Sequence, residues 1–269
     1  MITNVQLRVV CFRLAYVIGF KKKCDICHSN YFNGYFLVSL VNTRLTSCSA
    51  CQDKSCAAAL LNPPEVSLIN ENHREASFCK GDIIIQEGSM TAHIIYLKSG
   101  LVKEFIKNGQ EKEHILQIVK KHSYLGLSSL FGDTVNHYSY AALNDIKVCY
   151  IDAATFIRLI KQNGNFAHEL LVSVARESLN TFNRFMRQSQ KKTYGRVADA
   201  LLYFATIIYE QQAFELPCTR QELSEMIGIS RESATRVLTR FNKEGILSVD
   251  GRSILIKNME LLKQISKNG

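Results

Sequence analysis

Four polar side chains near the C-terminal end of the chain have the types and the spacing needed to read DNA bases. In a helix that turns about 100° per residue, they fall on one arc, and the apolar residues between them fall on the opposite arc. The polar set is Arg231, Glu232, Thr235 and Arg236. The apolar set is Ala234, Val237, Leu238 and Phe241. An arginine fork pairs with guanine O6 and N7, and a carboxylate accepts from cytosine N4, so the segment predicts a helix that presents a base-reading face to a major groove.

Local capping signals predict the helices that position this face. Thr219 and Glu222 have the spacing of a capping box, in which each side chain hydrogen-bonds the backbone amide of the other residue. Gly228 supplies a turn, and Ser230 fits the N-cap of a second helix that runs to about Glu244. The pattern therefore predicts a helix-turn-helix.

The start of the first helix also predicts a contact with the DNA backbone. The amides, the hydroxyl and the guanidinium of Thr219 and Arg220 can together hold a phosphate oxygen at a helix N-terminus. The alternative is that Thr219 only caps its helix, and that Glu232 only forms an i,i+4 ion pair with Arg236.

Periodicity along the chain predicts an α+β protein. Short apolar runs cut by turn residues between 78 and 148 predict an antiparallel β-roll or jelly roll, with the strongest hairpin signal at Lys107-Asn108-Gly109. From Phe166 to Gln190 the apolar spacing becomes helical, and the length favours a dimer seam over packing on the β domain alone. Strands over 246–249 and 253–256, which flank Asp250-Gly251, predict a wing. The predicted units are a Cys-containing N-terminal extension (1–58), a β-roll sensor domain (59–165), a dimerisation helix (166–190) and a winged helix-turn-helix domain (191–265).

Composition narrows the class of protein without identifying its partner. The net charge is +9, but residues 1–45 carry six basic residues and one acidic residue, so total charge supports DNA binding only weakly. The sequence has no apolar run long enough for a membrane span and no convincing signal peptide, and its nine cysteines fit a reducing cytoplasm better than a disulfide scaffold. It also has no nucleophile triad, phosphate-cradling glycine loop or HExxH motif, so we expect no enzymatic activity.

Three stretches of the sequence resemble the Crp/Fnr family of transcription regulators. They are residues 78–88 (FCKGDIIIQEG), 94–103 (IIYLKSGLVK) and 219–247 (TRQELSEMIGISRESATRVLTRFNKEGIL). The resemblance implies a homodimer that binds double-stranded DNA and recruits or blocks RNA polymerase. Arg231, Glu232 and Arg236 match the base-reading trio of the cyclic-AMP-dependent branch, which implies a half-site that resembles TGTGA more than TTGAT.

The resemblance also places a cyclic-nucleotide pocket at residues 125–142. Gly126 is kept, but Leu127 stands where the family has a ribose-binding Glu, and His137-Tyr138 stand where it has the phosphate-binding Arg-Ser. A buried cyclic phosphate without its Arg would be a poorly compensated charge. We therefore expect no productive binding of cyclic AMP.

The oxygen-sensing branch of the family instead holds an iron–sulfur cluster with three N-terminal cysteines and one from the β domain. The corresponding residues here are Cys48, Cys51, Cys56 and Cys149. The C-x2-C-x4-C spacing is one residue shorter than that of the oxygen sensor, and the alternative for Cys149 is a small buried thiol in a strand.

A second cysteine pair also matches known motifs. Residues 24–28 (CDICH) match a haem-attachment motif, which we interpret as chance, and the pairs Cys24/Cys27 and Cys48/Cys51 could hold zinc.

Two other classes of protein compete with a DNA-binding regulator. A β-roll could act as a ligand-binding regulatory module on a protein partner, since rolls of this kind serve enzymes and channels too. An electron carrier built on the cysteine pairs would leave residues 150–269 unexplained. The predicted wing and reading helix favour the DNA-binding regulator.

Overall fold

A computed structural model describes Cys48 and residues 51–108 and 112–269. The motif at Cys24, Cys27 and His28 and most of the predicted N-terminal extension lie outside the described residues. Within them, no helix is long and apolar enough to cross a membrane.

Eight strands form the predicted β-roll. They are β1 (His73–Phe78), β2 (Ile83–Ile85), β3 (His93–Ser99), β4 (Leu101–Asn108), β5 (Lys112–Lys120), β6 (Ser123–Leu125), β7 (Ser139–Ala142) and β8 (Ile146–Asp152). They make two four-stranded antiparallel sheets, with orders β1-β8-β3-β6 and β2-β7-β4-β5. Leu97 and Val148 from the first sheet share one buried core with Val102 and Ala142 from the second. This arrangement confirms the antiparallel β fold expected from the sequence.

Two predicted turns have different roles in the roll. The signal at 107–109 joins β4 to β5 in an antiparallel hairpin, whose tip at 109–111 lies outside the described part of the chain. Gly100 instead carries the chain from one sheet to the other, with φ +87°, and a Cβ there would lie 2.6 Å from Ile146 Cγ2. Only glycine therefore fits this crossing without displacing its neighbours.

Helices close the open side of the first sheet and lead away from it. Helix α1 (Pro63–Glu71), which was not predicted from the sequence, begins with a capping box between Asn62 and Glu65. A short α2 (Leu127–Gly132) follows β6, and α3 (Ala153–Gln162) follows β8. The long helix predicted over 166–190 is α4 (Gly164–Gln190), with 27 residues.

Helix α4 changes character along its length. Phe166 and Leu170 are buried, and the Phe166 ring lies 5.5 Å, centroid to centroid, from Phe156 of α3. Further along, a row of large apolar side chains is exposed. Its members are Leu171, Leu179, Phe182, Phe185 and Met186. The start of α4 therefore belongs to the core of the roll, and the remainder presents an apolar face.

The C-terminal part contains the predicted winged helix-turn-helix, together with a third wing strand and a C-terminal helix that were not predicted from the sequence. Its elements are α5 (Thr193–Tyr203), a π-helical turn (Phe204–Ile208), β9 (Ala213–Glu215), α6 (Arg220–Ile227), α7 (Arg231–Lys243), β10 (Leu247–Asp250), β11 (Ser253–Ile256) and α8 (Met259–Asn268). The wing has three strands in the order β10-β11-β9 rather than the two expected. Its turn falls at Gly251 and Arg252, because Asp250 still pairs with Ser253 in the ladder.

The roll and the C-terminal part share buried contacts. One apolar core runs from Phe105 and Ile118 of the roll to Leu201 and Leu223 of the C-terminal helices. Polar contacts flank it: the Tyr203 hydroxyl donates to the Ile118 carbonyl at 2.8 Å.

Candidate nucleic-acid interface and sensor site

The two helices of the reading unit begin where their capping residues predict. The Thr219 hydroxyl accepts from the Glu222 amide at 3.1 Å, and the Glu222 carboxylate accepts from the Thr219 amide at 2.8 Å. Gly228 has φ +67° between the helices, and the Ser230 hydroxyl accepts from the Ser233 amide at 3.2 Å. The capping box, the glycine turn and the N-cap are all confirmed.

Helix α7 separates its two faces as expected. Ala234, Val237, Leu238 and Phe241 are buried, while Arg231, Glu232, Thr235 and Arg236 are exposed. The Thr235 hydroxyl donates to the Arg231 carbonyl at 2.9 Å, which leaves its methyl group for an outside contact. In the described part of the chain no ion pair joins Glu232 to Arg236, so the surface-pair alternative does not form here. Both side chains are exposed, and Arg236 Nη2 donates to Ser233 Oγ at 3.4 Å on the same helix.

Arg220 lies between the start of α6 and the wing. Its Nη2 donates to the Gly251 carbonyl at 2.9 Å, and its Nη1 is buried without an acceptor among the described residues. Burial lowers the pKa of Arg220 below its ordinary value, although the group remains charged. The guanidinium is therefore oriented by the wing, and one of its two terminal nitrogens is buried without a partner among the described residues.

Glu222 joins the reading unit to the roll. Its Oε1 pairs with Lys103 Nζ of β4 at 2.9 Å, and Lys103 also pairs with Glu113 of β5. The pKa of Glu222 is lowered, because its hydrogen bonds from Thr219 and Lys103 outweigh the opposing effect of burial. The same carboxylate thus serves the helix cap and the contact between the two parts of the chain.

The residues at the expected cyclic-nucleotide pocket do not fit a cyclic phosphate. Gly126 is the N-cap of α2 with φ +77°, and Leu127 is buried in the core of the roll rather than free for a ribose. The His137 ring is exposed, and its Nε2 lies 2.8 Å from Asp133 Oδ2, while Tyr138 packs partly against the core. An imidazole beside a carboxylate does not replace the missing arginine.

The cysteines of the predicted metal set are partly brought together. Cys149 is buried in β8, opposite Glu75 of β1 and Tyr96 of β3. Its Sγ donates to Glu75 Oε1 at 3.8 Å, and burial raises the pKa of Cys149 to about 12. Cys48 and Cys51 lie close enough to affect this thiol electrostatically, whereas Cys56 is exposed.

Two further polar residues at this site were not identified from the sequence. Cys48 Sγ lies 3.7 Å from His73 Nδ1, and ligand atoms of His73, Glu75 and Cys149 lie within 4.8 Å of one another. A signal for His73 and Glu75 did exist, since residues two apart in a strand point to the same face. Lys98 Nζ also reaches Glu75 Oε1, at 2.6 Å.

A β-roll, a long helix and a winged helix-turn-helix with an exposed reading face together define a two-domain, DNA-binding transcription regulator. Two family models match: a cyclic nucleotide-binding domain at residues 75–163 and a Crp-like helix-turn-helix domain at residues 195–265. The chain belongs to the Crp/Fnr family of regulators. These matches give no support to a roll that acts on a protein partner instead of DNA.

Individual relatives agree with this family. The chain is 28% identical over 227 residues to the fumarate nitrate reduction regulatory protein of Klebsiella oxytoca, covering 80% of this chain and 90% of the relative. It is 25% identical over 177 residues to the cAMP-activated global transcriptional regulator CRP of Pasteurella multocida, covering 64% of this chain and 85% of the relative. Its fold is similar to that of FixK2 from Bradyrhizobium japonicum, with a TM-score of 0.67 at 20% identity, covering 72% of this chain and 96% of that one.

The iron–sulfur cofactor expected from the sequence stays a prediction for this chain. The described side chains, however, do not form a set of four thiols. Cys56 is exposed, and the carboxylate of Glu75 lies against Cys149, where it would repel an anionic cluster. An imidazole, a carboxylate and thiols share this site, and such a mixed donor set differs from the four thiolates of a cubane cluster.

Proposed function

We propose that this regulator reads an inverted DNA repeat through Arg231, Glu232 and Arg236 of two α7 helices. The observation that carries the proposal is the exposed arc of α7, on which Glu232 and Arg236 form no ion pair with each other among the described residues. Each Arg can fork onto a guanine, and Glu232 can accept from a cytosine amino group. Thr219 and Arg220 would hold a phosphate at the start of α6 and set the register of the helix in the groove.

The second half-site requires a second copy of the chain. The exposed apolar row on α4 supports a homodimer with its two-fold axis along this helix. Two reading helices related in this way would enter successive major grooves, about 34 Å apart.

The remaining partners follow from this role. RNA polymerase is the proposed protein partner, the cytoplasm is the proposed location because the DNA target lies there, and no catalytic activity is proposed. The signal would act at the thiol-containing site between β1 and β8 rather than through a cyclic nucleotide, because Leu127 and His137 leave a cyclic phosphate without a compensating Arg.

Selection of bound sequences from random duplexes tests the reading set. We expect an inverted repeat whose half-site resembles TGTGA, and we expect Arg231→Ala to relax one base pair at a cost of about 1–3 kcal/mol, with little change elsewhere. Arg240→Ala is the matched control, because Arg240 lies on the same helix but pairs with Glu244 at 2.7 Å. A half-site without guanines, or one that Arg231→Ala leaves unchanged, would refute the assignment.

A further inference from the structure

The first sheet of the roll holds a buried group of side chains with mixed ligand atoms. His73 and Glu75 lie two residues apart on β1, and Cys149 lies opposite Glu75 on β8. One ligand atom from each lies within 4.8 Å of the others, with His73 and Cys149 buried and Glu75 half-buried. Strand pairing brings the three residues to one place in the sheet.

One ring nitrogen of His73 is buried without a partner. The His73 side chain is 5% exposed, and its Nε2 has no hydrogen bond within the described ranges. The other nitrogen, Nδ1, lies 3.0 Å from the Asn70 carbonyl, which can only accept, so Nδ1 carries the proton. Nε2 therefore presents a buried lone pair that no described protein group satisfies, and such a group costs about 1–3 kcal/mol unless a partner satisfies it.

In metal-bound histidines the nitrogen that does not bind the metal usually donates a hydrogen bond to a carbonyl or carboxylate. This hydrogen bond fixes the tautomer and the orientation of the ring. Asn70 supplies this support from the end of α1. The lone pair on Nε2 and the fixed ring together suit a metal ion as the partner that Nε2 lacks among the described residues.

We propose that His73 Nε2, a carboxylate oxygen of Glu75 and Cys149 Sγ bind a single divalent transition-metal ion of the Zn²⁺ type. Bonds of about 2.0–2.3 Å to N, O and S at tetrahedral angles put neighbouring ligand atoms about 3.3–3.7 Å apart. Glu75 Oε1 and Cys149 Sγ already lie 3.8 Å apart, and a ring nitrogen of His73 lies within 4.8 Å of a ligand atom of each. Side-chain rotations that move these atoms by about 1 Å would bring them to the ligand–ligand distances of a bound ion.

The charges of the site suit one dication. On binding, Cys149 releases its thiol proton to solvent, and its thiolate and the Glu75 carboxylate offset the two charges of the ion, which leaves the single charge of Lys98. Lys98, at 2.6 Å from Glu75, keeps the carboxylate charged and in place, since a carboxylate accepts from more than one partner. A further thiol lies beside this group, since Cys48 Sγ is 3.7 Å from His73 Nδ1.

Metal titration of the full-length chain tests this proposal and does not depend on the DNA-reading assignment. The protein is prepared anaerobically, stripped with a chelator, checked for folding by circular dichroism, and titrated with Co²⁺ and then with Zn²⁺. We expect one Co²⁺ per chain, with the d–d bands of tetrahedral coordination and a sulfur-to-cobalt charge-transfer band, displacement by one Zn²⁺, and no acid-labile sulfide. A folded chain that binds no Co²⁺, or that binds it without the charge-transfer band, overturns the proposal.

Two ligand variants and one cysteine control separate a single ion from a cluster. His73→Ala and Cys149→Ser should each lose at least about 100-fold in affinity, because loss of an outer partner alone costs about 10–100-fold. Cys56→Ser is the matched control and should bind as the wild type does, since Cys56 is exposed and outside the ligand set. Iron and sulfide that depend on Cys56 but not on His73 would identify a cluster and refute the single-ion site. If His73→Ala does not fold, the wild-type titration and Cys149→Ser decide, and binding of the stripped protein to the selected DNA reports separately on the proposed function.

Discussion

Replacing Arg220 with Ala tests how the protein grips the DNA backbone. In the free protein, Arg220 Nη2 is held by the Gly251 carbonyl of the wing, while Nη1 is buried without an acceptor in the part of the chain that the structure describes. The Arg220 side chain as a whole is only half-buried, so a phosphate oxygen at the start of α6 would pair with the exposed part of its guanidinium. Because a phosphate carries no sequence information, the variant should lose affinity for all duplexes alike.

The size of the effect follows from the charge and from the dimer. Each neutralised phosphate contributes about 0.9 to the slope of log K against log salt, so a dimer that loses two contacts should have a slope about 1.8 units shallower. A hydrogen bond to a charged group contributes about 1.5 kcal/mol at the low end of its range, and two of them amount to about 3 kcal/mol, or roughly a 100-fold loss of affinity. The lost contact with Gly251 should cost the fold only about 1 kcal/mol.

Fluorescence anisotropy with a selected duplex and a scrambled one, at several salt concentrations, measures both quantities. Lys161→Ala is the control, because it removes the same charge from an exposed position on α3 of the roll. An unchanged slope in Arg220→Ala, or a loss confined to one base position, would show that Arg220 only supports the wing.

Three further perturbations address the dimer, the contact between the domains and the sensor. Leu179→Glu combined with Phe182→Glu should give monomers in sedimentation that no longer bind DNA, because these side chains are 64% and 63% exposed on α4; a dimeric double variant would place the seam elsewhere. Lys103→Met should lower the free energy of unfolding in urea by about 2 kcal/mol at neutral pH, because it leaves the carboxylates of Glu222 and Glu113 without their shared cation. Since the pKa of Glu222 is lowered in the folded state, this stabilisation is present above its ordinary pKa of 4.5 and should disappear as the pH falls through the folded value; a difference that is the same at acid pH would contradict the ion pair. Calorimetry with cyclic AMP should show no tight binding. Tight binding that changes DNA affinity would refute the prediction that residues 125–142 do not bind a cyclic nucleotide.

The reading unit could be predicted closely because its signals are local. Thr219, Glu222 and Ser230 cap helices within three residues of themselves, and Gly228 supplies its own backbone conformation. The antiparallel roll was also predictable in kind, since its strands and turns alternate along the sequence. The individual strand partners were not, because the Gly100 turn crosses between sheets instead of forming a hairpin.

The missed features depend on contacts between distant residues. Strand β9 has only three residues, Ala213–Glu215, and it becomes a strand by pairing with β11. His73 meets the Cys149 site only because β1 pairs with β8. The predicted iron–sulfur set contained only cysteines. The imidazole of His73 and the carboxylate of Glu75 were therefore not predicted as ligands beside Cys149.

The double role of Glu222 limits how freely the two halves of this protein can be exchanged. A chimaera that joins this reading unit to the roll of another regulator would keep the helix cap with Thr219 but would lose Lys103 unless the new roll offers a cation on the equivalent strand. The Glu222 carboxylate would then lie against the surface of the other roll without a cation. This contact is at the N-terminal end of α6, where the phosphate is proposed to bind. A chimaera should therefore take β4 and β5 from the same protein as the C-terminal domain. The junction between the two parent sequences then falls inside the roll and not at α4.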